Sequence, residues 1–203
     1  KYGGAVLQVS VVPGDLIFVD NNGDGSIDKD DKTMIGNPHP KFTLGFNFNC
    51  SYKGFDFSVN TYGAFGQQIA KSYREFSNSP NNNYTTDVYT KYWTGDGSTN
   101  RYPMFTHGKN TNFKEISEMY IEDADYLKIS NVSFGYDFKK VFKKLPVKKF
   151  RLYVAVQNLV TFTNYSGFDP EVGYGDGESW ASGIDIGYYP SPKSFLGGIN
   201  IEF

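Results

Sequence analysis

The stretch Asp20-Asn21-Asn22-Gly23-Asp24-Gly25-Ser26-Ile27-Asp28-Lys29-Asp30-Asp31 holds the densest set of oxygen ligands in the chain. Oxygen-bearing side chains stand at loop positions one, three, five, nine and twelve, with glycine at six and a β-branched residue at eight. Calcium is held by oxygen ligands, and an EF-hand loop presents them at this spacing, with the glycine allowing the sharp turn. We expect Asp20, Asn22, Asp24 and Asp31 to supply side-chain oxygens and Ser26 its backbone carbonyl. Asp28 would ligate directly or through water. Asp31 stands where a bidentate glutamate is usual and is one methylene shorter, so the loop must close more tightly or lose a ligand. From Gly14 to Asp31 there are six aspartates and one lysine, a charge density that repels itself unless a cation sits inside it. A metal-free reading stands beside this one, since Asn, Asp and Gly favour Asx turns on their own. No entering helix precedes the loop; a strand-like Leu16–Val19 takes its place.

Other reactive groups are sparse. His39 sits between prolines and His107 in a loop, neither has a partner at motif spacing, and the acids are dispersed, so no enzyme is expected. Gly173-Tyr174-Gly175-Asp176-Gly177 is not followed by a helical pattern, which argues against phosphate cradling. Cys50 is the only cysteine, which excludes an internal disulfide and a thiolate cluster. A net charge of −2 makes no electrostatic case for nucleic acid. The sequence has no apolar run of about 18 residues, the length a membrane helix needs, but a barrel needs only alternate residues to meet lipid.

The elements that must carry these groups read as strands, because apolar and polar residues alternate and successive strand side chains point to opposite faces. Ala5, Leu7, Val9 and Val11 alternate in a first strand, closed by Pro13-Gly14. Phe42, Leu44, Phe46, Phe48, Cys50 and Tyr52 share one face of a second. Phe55, Phe57, Val59, Thr61, Gly63 and Phe65 share one face of a third, and Lys53-Gly54 between them makes a hairpin. In Met119–Phe138 the apolar parity changes between Ile129 and Val132, which predicts a bulge near Ser130–Asn131. Phe150, Leu152, Val154 and Val156 mark a fifth strand. In Ser194–Phe203, Phe195, Gly197, Ile199, Ile201 and Phe203 share a face of a sixth. Thr85 or Thr86 is placed to cap a short helix with Tyr84, Val88 and Tyr92 on one side.

Long connections (14–40, 66–118, 164–193) alternate with short ones (53–54, 139–148). Antiparallel strands alternate direction, so all long loops leave one edge and all short turns the other, as in outer-membrane barrels. Six strands cannot close a wide barrel, and the expected fold is all-β: an antiparallel transmembrane β-barrel sector, open and curved. Phe42, Phe46, Phe57, Val154, Ile199 and Ile201 should face outward, and Arg151, Gln157, Asn200 and Glu202 the lumen. The chain opens at Lys1 in mid-pattern, and we expect residues 1–203 to be the C-terminal part of something longer.

Pro13-Gly14-Asp15 leading to Asp20–Gly25, then Ile35-Gly36-Asn37-Pro38 and Phe42, resembles the C-terminal region of the SusC/RagA family of TonB-dependent outer-membrane transporters. Asp125-Tyr126-Leu127-Lys128-Ile129-Ser130-Asn131-Val132, Gln157-Asn158-Leu159, Gly167-Phe168-Asp169-Pro170-Glu171 and Tyr189-Pro190 resemble its later signatures. The resemblance covers nearly the whole chain. It implies a barrel of about 22 strands with a plugged lumen, in the outer membrane of a Gram-negative cell. It implies glycan or peptide uptake driven by the TonB complex through N-terminal parts absent here, with a SusD-like surface lipoprotein as lid. The closing strand 194–203, with Phe203 as terminal aromatic, resembles the signal read by the barrel-assembly machinery. The alternative is a secreted, calcium-stabilised, carbohydrate-binding β-sandwich, whose loop aromatics Trp93, Trp180 and Tyr189 would stack on sugars. Such a module would stay soluble without detergent.

Overall fold

The computed structural model describes residues 8, 11–72, 86–104, 116–171 and 183–203. Its strands are β1 (Phe42–Tyr52), β2 (Phe55–Phe65), β3 (Gln68–Lys71), β4 (Ile121–Asp123), β5 (Tyr126–Asp137), β6 (Lys149–Thr163), β7 (Ile184–Asp185) and β8 (Ser194–Glu202). The chain divides into two compact units, Lys1–Gly36 with Ser72–Ile121, and Asn37–Lys71 with Glu122–Phe203.

The second unit is built on one antiparallel sheet in the order β1-β2-β5-β6-β8. The expected six-stranded sheet is therefore five-stranded among the described residues. The first expected strand, 5–11, lies almost wholly outside them. Residues 16–19 adopt no strand, contrary to expectation, because the Gln8 side chain occupies their backbone: its Nε2 donates to the Leu16 carbonyl (3.1 Å) and its Oε1 accepts from Phe18 N (3.1 Å).

Register makes the two faces continuous. Phe48 pairs with Val59, Val59 with Val132, Val132 with Val156, and Val156 with Phe195, so one apolar row crosses all five strands. On the opposite face Asn49 pairs with Ser58, Ser58 with Ser133, Ser133 with Ala155, and Ala155 with Leu196. The apolar face is open to its surroundings: Phe42 is 60 % exposed, Val154 60 % and Ile199 61 %. Burying each large apolar side chain contributes about 1.5–3 kcal/mol. Summed over this face, that exceeds about 5–15 kcal/mol, the whole net stability of an ordinary domain.

The bulge falls where parity predicts it. Register shifts between Asn60 and Thr61 on β2, and between Ile129 and Asn131 on β5. Ser130 takes the additional position, its Oγ donating to the Asn60 carbonyl (3.0 Å). The β1–β2 turn has Lys53 at φ 51° and Gly54 at φ 96°. Both central residues are left-handed, as the two-residue hairpin turn compatible with strand twist requires.

A second, three-stranded sheet, ordered β4-β3-β7, takes β3 and β7 from stretches expected to be loop, and β4 from the start of Met119–Phe138, where strand was expected. β3 and β7 are parallel, pairing Ala70 with Ile184 and Lys71 with Asp185. In the first unit the helix expected near Thr86 is present as α1 (Thr86–Lys91). Val88 is buried on it and clusters with Tyr102, against which Leu16, Tyr92 and Met119 pack.

Candidate functional site

The aspartate loop folds on its own side chains. Asp20 Oδ1 accepts from Gly23 N (2.7 Å) and its Oδ2 from Gly25 N (3.0 Å). Asn22 Oδ1 accepts from Asp24 N (2.9 Å), Asp24 Oδ1 from Ser26 N (2.8 Å), and Asp28 Oδ1 from Asp30 N (2.8 Å). These are Asx-type closures, which use side-chain oxygen in place of a turn carbonyl. Asp31 closes the circuit. Its Oδ1 accepts from Asn21 N (2.8 Å) and its Oδ2 from Asp28 N (2.8 Å), forming a reciprocal capping box on the 3-10 turn Lys29–Asp31. Asp31 alone among the predicted ligands is buried, at 7 % exposure; Asp20 is half-buried, and Asn22, Asp24, Ser26 and Asp28 are exposed. The Asp28 amide, opposed by slight burial and joined by the Asn21 and Asn22 amides, holds the Asp31 carboxyl below its ordinary value.

The loop thus brings Asp31 against both of its ends, and joins Asn22 to Asp24, whose Oδ2 accepts from Asn22 Nδ2 (3.0 Å). It does not draw three or more acid, histidine or cysteine side chains into one cluster able to hold a metal, and no such group exists among the described residues. An ionised carboxylate offers about four lone-pair sites. Asp20 spends one on each oxygen, and the rest stay open.

Three polar constellations were missed by sequence reasoning. On the polar sheet face, Arg151 Nε donates to Asp56 Oδ1 (2.7 Å) and Nη2 to Oδ2 (2.5 Å), while its guanidinium lies 4.6 Å from the Tyr153 ring centroid. The pair spans β6 to β2 across β5, and Gly135 leaves it room: a Cβ there would stand 2.6 Å from the guanidinium, which would have to shift. At the second sheet, Lys71 is 1 % exposed and donates to Glu122 Oε1 (3.0 Å) and to Ser166 Oγ. Ser166 N donates to Glu122 Oε2 (3.0 Å). Burial pushes the Glu122 carboxyl up, but Ser166 and Lys71 outweigh it and the net shift is downward. Tyr165 OH donates to buried Asp185 (2.6 Å), beside Ile69 and Ala124. Thirdly, Lys128 pairs with Glu171, whose carboxyl burial pushes up. Glu171 belongs to the Asp169-Pro170-Glu171 stretch, the one signal in the sequence that pointed here. In the first unit, Lys91 and Tyr102 OH (2.7 Å) hold the Asp87 carboxyl below its ordinary value.

What the second unit presents is a five-stranded sheet with one apolar face and one polar face, the polar face bridged by the Arg151–Asp56 pair. His39 is exposed; His107, Trp180 and the Gly173–Gly177 stretch lie outside the described residues.

No family model matches the chain. Among curated proteins it is similar to TonB-dependent receptor P3 of Formosa agariphila, with 34% identity over 206 residues, covering 99% of this chain and 20% of that protein. It is likewise similar to TonB-dependent receptor SusC of Bacteroides thetaiotaomicron, with 29% identity over 193 residues, covering 94% of this chain and 18% of that protein. Among solved structures it resembles the RagAB peptide importer in its open-open state, with TM-score 0.63 and 25% identity over 81% of this chain and 17% of that one. The chain spans about a fifth of the curated relatives it matches.

Proposed function

We propose that this chain, similar over nearly its whole length to TonB-dependent receptors including SusC, forms wall and outer loops of a SusC/RagA-type outer-membrane nutrient importer. The carrying observation is the continuous apolar face of the five-stranded sheet, exposed on every strand and backed by a polar face. Lipid would cover the apolar face, as the alternation of a membrane barrel demands. The polar face, with Arg151, Gln157, Asn200 and Glu202, would line the lumen. Cargo is a glycan or a peptide, taken up with energy from TonB and captured with a SusD-like lipoprotein. The likeness to a peptide importer and to SusC supports that class of partner and cargo. Insertion would proceed through the barrel-assembly machinery.

The test uses the intact receptor in a Gram-negative host. It should fractionate with the outer membrane, run as a heat-modifiable band, and take up labelled oligosaccharide or oligopeptide only when TonB is present. A protein that stays soluble and monomeric without detergent overturns the reading.

The aspartate loop fits this proposal as a structural calcium site on the outer surface. The density of carboxylate and the open lone pairs of Asp20, Asp24 and Asp28 support it, with Asp31 as closing residue. Calcium bound there would offset the loop's self-repulsion, and magnesium should compete poorly because it demands a smaller octahedral cage. Calorimetry on the intact receptor should register calcium at roughly millimolar concentration, the range of extracellular modules. An Asp20→Ala, Asp24→Ala double variant should lose the heat. If the unaltered protein binds none and the loop stays protected from hydrogen exchange in chelator, the Asx turns alone hold it.

A further inference from the structure

The turn joining β5 to β6 carries Lys139, Lys140, Lys143, Lys144 and Lys148, with Lys149 opening β6, and no acid between Phe138 and Phe150. It is a built platform. Asp137 Oδ1 accepts from Lys139 N (3.0 Å) and Phe150 N (3.2 Å), which ties its two ends together. Lys139 Nζ donates to the carbonyls of Lys143 (2.9 Å) and Leu145 (2.6 Å), which spends that cation on the turn itself. Lys149 stands opposite Glu202 on β8. Lys140, Lys143, Lys144 and Lys148 are left exposed, and none forms an ion pair among the described residues.

Apolar groups project from the same turn. Val141 is 57 % exposed and Phe142 53 %. Phe142 stacks on Phe138 (6.3 Å between centroids), which meets Tyr136 (5.0 Å) and Phe150 (6.1 Å), so the turn's apolar patch continues the outward face of the sheet. The β1–β2 turn adjoins it: Asp137 N donates to the Gly54 carbonyl (2.8 Å), and Lys53 lies over the exposed Tyr52 ring (5.1 Å). Cations at the rim of an apolar surface, on stems long enough to reach a headgroup layer, match a membrane border with anionic lipid.

We propose that the β5–β6 turn, with Lys53 of the neighbouring turn, is a docking surface for anionic phospholipid headgroups in the leaflet at the short-turn edge of the sheet. This rests on the lipid-facing reading of the apolar face. Phe142 and Val141 enter the acyl boundary, while Lys140, Lys143, Lys144 and Lys148 meet phosphate. The partner is identified by charge complementarity and by continuity with the apolar face.

The experiment uses the intact receptor in nanodiscs of mixed phosphatidylglycerol and phosphatidylethanolamine, with lipid retained after detergent extraction counted by native mass spectrometry. The unaltered receptor should retain phosphatidylglycerol in preference, and the preference should fall with added salt. A Lys143→Gln, Lys144→Gln, Lys148→Gln variant should lose that preference about tenfold or more, each surface lysine being worth about fivefold, while its heat-modifiable mobility stays unchanged. Equal retention of both lipids, or an undiminished preference in the variant, overturns the proposal and leaves the barrel reading standing. A variant that melts lower in plain detergent, with no lipid dependence, assigns the lysines to an acidic surface of the receptor itself and also overturns it. If the unaltered receptor fails to enter the outer membrane, the barrel reading falls and this one with it.

Discussion

Two residues show how much a single position carries. Asp31 has its carboxyl held low by amides of its own loop. A depressed folded-state value contributes stability that is complete above the ordinary carboxylate value and is lost as pH falls through the folded one. The protection factors of residues 20–31 against hydrogen exchange should therefore stay constant from neutral pH down to the ordinary aspartate range, about 3.9, and should collapse only below it. Loss of protection already near pH 6 would mean that Asp31 does not hold the loop closed. Gly135 is the second case. Gly135→Val drives a side chain into the Arg151 guanidinium and should break its two bonds to Asp56, at a cost of about 1–2 kcal/mol because the pair is partly solvated. A double-mutant cycle with Arg151→Ala checks this, since the valine should add little once the arginine is gone.

At the scale of the element, the β1–β2 hairpin depends on a turn whose two central residues are left-handed. Gly54→Ala meets both a positive φ and Lys140 Cγ at 2.9 Å from the new Cβ. It should lower the unfolding temperature of the heat-modifiable band, with about 1–2 kcal/mol lost to left-handed strain. Lys53→Asn should raise it slightly, because asparagine tolerates that conformation. Alternation made β1, β2, β5, β6 and β8 readable from the chain, and the parity change at Ser130 located its bulge, because which face a side chain takes is a local property. β3 and β7 were not readable, and β4 was not separated from β5 within the strand pattern expected over Met119–Phe138. β3, β4 and β7 run four, three and two residues, too short for periodicity, and they owe their form to pairing between distant segments. Buried Lys71 and Asp185 also disguise them, since charge in a short stretch reads as loop. The aspartate spacing was legible, but the backbone amides that take up each oxygen were not. The Arg151–Asp56 pair joins positions 95 residues apart, and no spacing rule reaches that far.

At the scale of the whole molecule, the two faces of the large sheet make opposite demands on one substitution. Val154→Arg on the apolar face should cost about 2–4 kcal/mol if that face lies at the middle of a bilayer, and should sharply lower outer-membrane levels of the intact receptor. Gln157→Arg, on the opposite face of the same strand, should leave those levels unchanged. Equal effects from both would remove the distinction between lipid and lumen. The arginine that bridges β6 to β2 over Gly135 has a further consequence, for accuracy of assembly. Because Arg151 reaches over β5 to a strand that is not its neighbour, the three strands must arrive in one alignment for the pair to form. A slip of β5 by two residues keeps every apolar side chain on its proper face, so hydrophobicity cannot detect the error. A slip in one direction does bring Ser133 to the place of Gly135 and sets a side chain against the guanidinium. On that side the glycine favours the native alignment over a mistake that the apolar pattern alone would tolerate.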